Sequence, residues 1–408
     1  MTAVDCRGCG NDAVKVVLDL GMLPLANALL TADDLDRPEP RYPLALAFCQ
    51  RCYLAQITHT IEPDVLFREY AYFSSVSDEM VQHARRIAER LVDRQGLDSR
   101  SLVIEVASND GYLLQHYAAR GIPVLGIEPA RNIAGVAEAR GIPTIAEFFD
   151  VRIAEELRRS GRTADVVHAN NVLAHVPDLH GFIAGIATVL KATGVAVIET
   201  PYVRDLVERL EFDTIYHEHV FYYSLSALAR LFGEHGLVVA DVEHIGIHGG
   251  SLRIIVTHGE GARPGPAVQA LLDEEVALGL TRVDYFETFA ARVDALGADL
   301  RGMLADLKGA GRSIAAYGAA AKGAVLLNAF GIGTETIDFV ADRSPYKQGR
   351  FMPGVRIPVV PAERLLKARP DTCLLLAWNF SAEILAQQHE YRASGGMFII
   401  PVPKPRLV

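Results

Sequence analysis

Four consecutive side chains, Tyr216-His217-Glu218-His219, put a phenol, two imidazoles and a carboxylate into one short run of this 408-residue chain. All four can move protons or hold a metal. His217 and His219 alternate, so on an extended segment they share a face, and HEH does not match the helical H-E-x-x-H spacing of zinc enzymes. The run follows a strand expected over 195–199 and so lies at the carboxyl edge of a sheet, where ligands of open α/β folds gather. That position favours acid/base chemistry, with a metal site or a purely structural polar network as the alternatives.

A second chemical pattern stands at the N-terminus. Cys6 and Cys9, then Cys49 and Cys52, form two CxxC pairs in turn-like settings. Zinc takes four thiolates in a tetrahedron, and each CxxC supplies two from one tight turn. Stable disulfides are disfavoured in the cytoplasmic setting expected for the chain, so a structural Zn2+ site is predicted. With all four positions filled by protein, its role is folding rather than chemistry. Cys373, in the apolar run CLLLAW, is expected to be a buried core thiol.

The length allows two or three domains with real cores. Hydrophobic residues make up 50% and charged residues 22%, as in a soluble globular enzyme. The net charge of -10 provides no basic footprint for nucleic acid. Neither a leader pattern nor a run of about 18 apolar residues is evident, so no membrane segment and a cytoplasmic location are expected. A monomer is expected because each domain carries its own core.

Residues 1–75 form the zinc-bearing unit, with a core small enough to need a metal. A charged amphipathic helix over 77–94 bridges to the second unit, 76–265, in which strands at 101–107, 123–128, 164–169 and 195–199 alternate with helices at 111–119, 132–140 and 179–190. Such alternation implies a parallel sheet covered on both faces. Strands at 237–242 and 251–257 suggest an antiparallel addition at its edge. A helical stretch over 267–308 leads into the third unit, 266–408, where the alternation restarts with strands at 313–317, 336–341, 372–377 and 397–400. The fold class is α/β, with a zinc unit followed by two Rossmann-like units.

The strand-to-helix junction Glu105-Val-Ala-Ser-Asn-Asp-Gly111 lets backbone approach a ligand, and Glu128 ends the next strand where an acid holds ribose hydroxyls in nucleotide-binding sheets. Nicotinamide would demand GxGxxG, which is absent. That leaves S-adenosylmethionine. The segment resembles a class I methyltransferase, with Glu105, Gly111 and Glu128 at cofactor positions and Ser108 and Asn109 where glycine is commoner. Asn170 and Asn171 end a later strand where such enzymes contact the methionine part or the adenine.

The ordered set CxxC…CxxC, YAYFSS, EVASNDG, FDTIYHEHVFYYS, HGGSLR and YGAAAKG resembles three-domain sugar C-methyltransferases that act on nucleotide-linked 4-keto deoxysugars in antibiotic pathways. The resemblance covers nearly the whole chain. It implies proton removal from C3' of a dTDP-linked keto-deoxysugar, formation of an enolate and methylation on carbon. His219 is then the general base, Tyr216 with Tyr70 or Tyr72 donates to the ketone or enolate oxygen, and Glu218 orients His219 or binds a sugar hydroxyl. His217 is left a structural hydrogen bond.

In the third unit, Gly318 and Lys322 sit at a strand-to-helix turn that favours phosphate. Together with Tyr317, Arg343 and Lys347 they form the expected diphosphate site for the nucleotide handle. His248, Ser251 and Arg253 of HGGSLR close the cleft from the second unit, and Asn379 adds a further substrate contact. Three rivals stand beside this reading: C5' methylation, an NAD(P)-dependent nucleotide-sugar oxidoreductase and a non-enzymatic zinc-knuckle adaptor.

Overall fold

The structure, a computed structural model, describes residues 4–67 and 73–408. Tyr70 and Tyr72 lie outside the described residues, as does the side chain of His248. The N-terminal strands β1 (Val14–Leu23), β2 (Tyr42–Cys49) and β3 (Ala55–Ile57) pair antiparallel. The run from Leu44 to Cys49 is buried throughout, whereas β1 buries only Leu18 and Leu23. The small sheet therefore has one well-covered strand and one half-exposed one.

The bridging helix runs Asp78–Gln95. Ser77 caps it by accepting from the Met80 amide, and Gly96 ends it in the left-handed region. Met80, Ala84, Ile87, Ala88 and Leu91 form its buried stripe at helical spacing.

Short runs rich in Val, Ile and Leu, largely buried, then build β4 (Val103–Val106), β5 (Val124–Ile127), β7 (Ala164–Asn170) and β8 (Leu190–Pro201) as parallel strands, with the two-residue, half-buried β6 (Thr144–Ile145) at the edge. The chain next forms β9 (Phe221–Tyr222), which leaves this sheet and pairs with β3 of the N-terminal one. It returns through β10 (Leu237–Ile245) and β11 (Ser251–His258), an antiparallel hairpin laid against β8. The seven-stranded order is β10-β11-β8-β7-β4-β5-β6, so the strand order reverses between β4 and β7. In open α/β sheets, ligands bind at that reversal.

The third sheet comprises β12 (Ile314–Tyr317), β13 (Val340–Asp342), β14 (Val359–Pro361), β15 (Thr372–Leu375), β16 (Met397–Ile400) and β17 (Arg406–Leu407), in the order β14-β13-β12-β15-β16-β17. All but β17 are parallel. It too reverses order, between β12 and β15.

Several elements differ from the pattern read in the sequence: the strand expected over 336–341 is only Val340–Asp342, and the one expected over 372–377 ends at Leu375. The expected 267–308 helix is two helices, Pro266–Leu278 and Phe289–Gly309, because Gly279 turns left-handed at φ 79° and a 3-10 turn, Val283–Phe286, follows. The helix after Gly111 begins only at Leu114, since Asn109 at φ 50° and Gly111 at φ 79° keep the preceding segment as loop. Aromatic pairs link distant segments: Phe48 packs against Phe286, with ring centroids 4.7 Å apart, and Phe212 against Phe330 at 4.8 Å.

Candidate active site

The cofactor segment is built on the ends of β4, β5 and β7. Asn109 donates its amide to one oxygen of Glu128 (3.0 Å) and Ala130 to the other (2.9 Å). Each carboxylate oxygen keeps a lone pair for a ligand hydroxyl. Burial pushes Glu128 upward in pKa, and burial together with Glu128, Asp110 and Glu199 pushes Glu105 well above the usual carboxylate range. A site this acidic favours a cationic ligand.

Among the described residues, Glu105 Oε2, Ser108 Oγ, Asp110 Oδ1, Asn170 Oδ1 and Asn171 Oδ1 are buried without hydrogen-bond partners. Asn171 takes φ 54° and donates its amide to the Glu199 carbonyl (2.8 Å). Unsatisfied polar atoms converging on the end of a parallel sheet fit a polar cofactor such as S-adenosylmethionine. Asp110, which the sequence reading passed over, belongs to this rim and pairs with Arg140 at 2.9 Å. Its place inside the quoted EVASNDG run was the available signal.

The Tyr216–His219 run is a turn, closed by the His219 amide on the Tyr216 carbonyl (2.9 Å). The two histidines therefore do not share a face as an extended segment would require. His217 is buried and its Nε2 donates to the Pro43 carbonyl at 3.2 Å. His219 Nδ1 donates to the Thr214 carbonyl at 2.9 Å, because a carbonyl oxygen can only accept. In the neutral ring Nε2 is then the unprotonated nitrogen and accepts from the Tyr216 hydroxyl at 2.9 Å. Tyr216 and His219 are half-buried, while Glu218 is buried and accepts from Asn27 Nδ2 at 2.6 Å. The Thr214 carbonyl thus orients the His219 ring.

His175 was not singled out from the sequence, although it follows Asn170-Asn171 within one 3-10 turn. Its ring meets that of His219 edge-on, centroids 4.7 Å apart. Burial pulls its pKa down to about 4, offset in part by backbone contacts with Glu218 and Asn171. The Val220 amide on the Ala174 carbonyl (2.7 Å) ties the same turn to the Tyr216–His219 run. The end of β7 and the histidine turn are therefore one connected structure.

In the third unit, Gly318 takes φ 91° and a Cβ there would lie 2.8 Å from Ala377, so glycine is required at this close approach. Tyr317 accepts from Gln388 at 3.2 Å, and Lys347 donates to the Ala319 carbonyl at 2.8 Å. Arg343 is exposed nearby, and Asn379 is half-buried in the 3-10 turn Trp378–Phe380. The Ala319 amide is already taken by Asp342 Oδ2 at 2.7 Å, which weakens this turn as an anion cradle.

Lys322 departs from the expected phosphate role. Its buried ammonium has no hydrogen-bond partner among the described residues and lies 4.5 Å from the centre of the Trp378 ring. Burial pulls its pKa down, and Asp213 and Glu211 pull it back up. Both carboxylates are displaced in turn: burial pushes Asp213 up to about 6 and Glu211 up to about 7, against the attraction of Lys322. Asp213 also accepts from Trp378 Nε1 at 2.6 Å. Asp213 stands inside the FDTIYHEH run, and only the fold brings Trp378 to it.

Arg253 departs as well. Its guanidinium donates to Glu199 (2.6 Å) and Glu243 (2.9 Å) and meets His83 Nε2 at 3.0 Å. Burial pushes Glu199 up, yet His83 and Arg253 outweigh it and hold the carboxylate below its ordinary pKa. Arg253 therefore ties β8, β10 and β11 to the bridging helix and leaves the substrate set. The Ser251 hydroxyl donates to the Ile247 carbonyl at 3.2 Å.

The four N-terminal cysteines converge, with all sulfurs within 4.8 Å of one another. Cys6 and Cys52 are 3.4 Å apart, and Cys9 and Cys49 are 3.6 Å apart. Each CxxC turn ends in a left-handed residue, Gly10 at φ 64° and Tyr53 at φ 68°. Tetrahedral thiolates about 2.3 Å from a zinc ion need sulfur separations of this size, so the donor set fits Zn2+. Cys373 is buried in the core of the third sheet.

Three family models match the chain in order: a zinc binding domain over residues 6–67, a methyltransferase domain over 80–242 and a C-methyltransferase C-terminal domain over 246–403. The C-methyltransferase NovU of Streptomyces niveus is 38% identical over 405 residues, covering 99% of this chain and 96% of that protein. A ubiquinone biosynthesis O-methyltransferase of Burkholderia mallei is 26% identical over 36% of this chain and 68% of its own length. Among solved structures, the PH0226 protein of Pyrococcus horikoshii aligns over 48% of this chain and 96% of its own, at 14% identity and a TM-score of 0.36. Near-complete coverage of NovU, with all three regions matched in order, establishes that the chain belongs to the zinc-binding, S-adenosylmethionine-dependent C-methyltransferase family.

Proposed function

We propose that this C-methyltransferase acts at C3' of a dTDP-linked 4-keto deoxysugar, as a cytoplasmic monomer. The observation that carries the reading is the Tyr216–His219 pair with its fixed tautomer. A carbon beside a ketone is acidified because the charge left by proton loss spreads onto oxygen. Its removal needs a base that is unprotonated near neutrality, and a neutral imidazole suits the task.

Thr214 holds the Nδ1 proton, so Nε2 is the nitrogen left to take one from the sugar. In the resting arrangement Tyr216 covers that lone pair. When the sugar enters, the phenol turns its hydrogen bond to the ketone oxygen, which uncovers Nε2 and stabilises the developing enolate together. Glu218, held by Asn27, precedes the base in the chain and would bind a sugar hydroxyl.

Glu105, Ser108, Asn109, Gly111, Glu128, Asn170 and Asn171 would hold S-adenosylmethionine, which supplies an electrophilic methyl group when bound. Tyr317, Gly318, Arg343, Lys347 and Asn379 would hold the nucleotide handle. Outside the described residues, Tyr70 or Tyr72 would add a second donor to the enolate oxygen. The whole-length similarity to a C-methyltransferase sets aside the oxidoreductase and adaptor readings.

The test incubates the protein with S-adenosylmethionine and a dTDP-4-keto-2,6-dideoxyhexose in deuterated water, read by mass spectrometry and proton NMR. Gain of one carbon-bound methyl at C3' with loss of the C3' proton is expected. Methyl gain at C5' would move the reaction to the other carbon beside the ketone. No exchange at either carbon would remove this substrate class.

A further inference from the structure

The carbonyl that fixes the tautomer of His219 belongs to the 3-10 turn Phe212–Thr214, whose middle residue is Asp213. Asp213 is fully buried, and its Oδ2 accepts the indole N–H of Trp378 at 2.6 Å. Trp378 comes from the third unit, at the end of β15, beside Asn379 and one residue after Ala377, which packs on Gly318. Lys322, from the turn-to-helix segment after Gly318, lies against the other side of this contact, over the indole ring.

A continuous set of contacts therefore runs from the β12 and β15 ends of the third sheet, through Trp378 and Asp213, to Thr214 and His219. We infer that Trp378 and Asp213 are positioning residues for the base: their bond sets the Thr214 carbonyl, and thereby aims His219 Nε2, from the unit that would hold the nucleotide handle. The inference rests on His219 being the base.

Two physical points support it. A buried charged acceptor at 2.6 Å from a buried donor makes a strong, directional bond that permits little rotation of the turn. A catalytic group displaced by about 1 Å can lose roughly 100-fold in rate, so a small rotation of Phe212–Thr214 is enough to matter. The other Asp213 oxygen has no hydrogen-bond partner among the described residues, so the indole N–H is the side-chain donor that directs the carboxylate, with Lys322 acting on it through charge.

The experiment compares Trp378→Phe with Asp213→Asn, reading C3' proton exchange into deuterated water, kcat, the sugar KM and S-adenosylmethionine binding. Trp378→Phe keeps a ring over Lys322 but removes the N–H. Exchange and kcat are expected to fall about tenfold or more, with KM and cofactor binding within about twofold. Asp213→Asn keeps an oxygen that accepts the indole N–H and should hold exchange within about threefold of the parent. Should Trp378→Phe not fold, Asp213→Ala replaces it as the variant without the bond.

Parent-like exchange in the bond-deleted variant would overturn the inference. So would a loss in Asp213→Asn as deep as in that variant, or a loss confined to KM. His219→Asn, run alongside, separates the two levels. If it keeps turnover, the base reading itself fails; if it is inactive while Trp378→Phe is normal, only the positioning role is lost.

Discussion

The Tyr216 hydroxyl and His219 Nε2 stand 2.9 Å apart, and the Thr214 carbonyl on the far side of the imidazole leaves that nitrogen as the acceptor. Under the proposed mechanism the imidazole would thus be held in the tautomer that a base requires, and the phenol that covers Nε2 would be the group that turns to the ketone.

His219→Asn should therefore abolish both methyl transfer and C3' proton exchange while leaving S-adenosylmethionine affinity unchanged. Tyr216→Phe, which keeps the imidazole but removes one donor to the enolate, should lower kcat by about 100-fold. Isothermal titration with the cofactor and single-turnover assays with the keto sugar check the pair. Near-normal turnover of His219→Asn would remove it as the base.

Cys9→Ser takes one thiolate from the quartet. Bound zinc, measured by atomic absorption, should fall from one equivalent toward zero, and the melting temperature should drop by several degrees. Full zinc content in the variant would mean that the four sulfurs do not form the metal site.

Arg253→Met leaves Glu199 buried beside His83 alone. Loss of one partner of a buried pair costs about 3 kcal/mol or more. The urea midpoint should fall accordingly, with the sugar KM unaltered in the folded fraction. A raised KM at parent stability would return Arg253 to the substrate set.

Burial raises Glu211 from the ordinary carboxylate value to about 7, so the folded state binds its proton more tightly than the unfolded chain does. Stability from this group is complete below about pH 4.5 and is lost as pH rises toward 7. Glu211→Gln should therefore be more stable than the parent at pH 8, by up to about 3 kcal/mol, and the gap should close by about pH 4. Equal melting differences at both pH values would count against the raised carboxylate.

Much of this architecture is legible in the chain because its elements are written locally. The cysteine spacing, the Val/Ile runs of β4, β7 and β8, and Ser77 and Gly96 at the ends of the bridging helix each declare themselves within a few residues. What was not legible depends on contacts between distant segments. Lys322 and Arg253 read as free cations, yet folding supplies Trp378 with Asp213 to one and Glu199 with Glu243 to the other. The HEH alternation read as extended because nothing in those residues announces the amide of His219 closing on Tyr216. Gly279 was a local signal for the break in the 267–308 stretch, outweighed there by the apolar period.

The pairing of β9 with β3 bears on how the molecule is assembled and trimmed. The edge of the metal-bearing sheet is completed by Phe221 and Tyr222, and that sheet's unit in turn lends Asn27 to Glu218 and the Pro43 carbonyl to His217. During synthesis the N-terminal segment must wait for more than half of the chain before its last strand exists. Once assembled, it walls the histidine turn, so a truncation that begins at the bridging helix would strip that turn of the Asn27 and Pro43 contacts along with a removable-looking module.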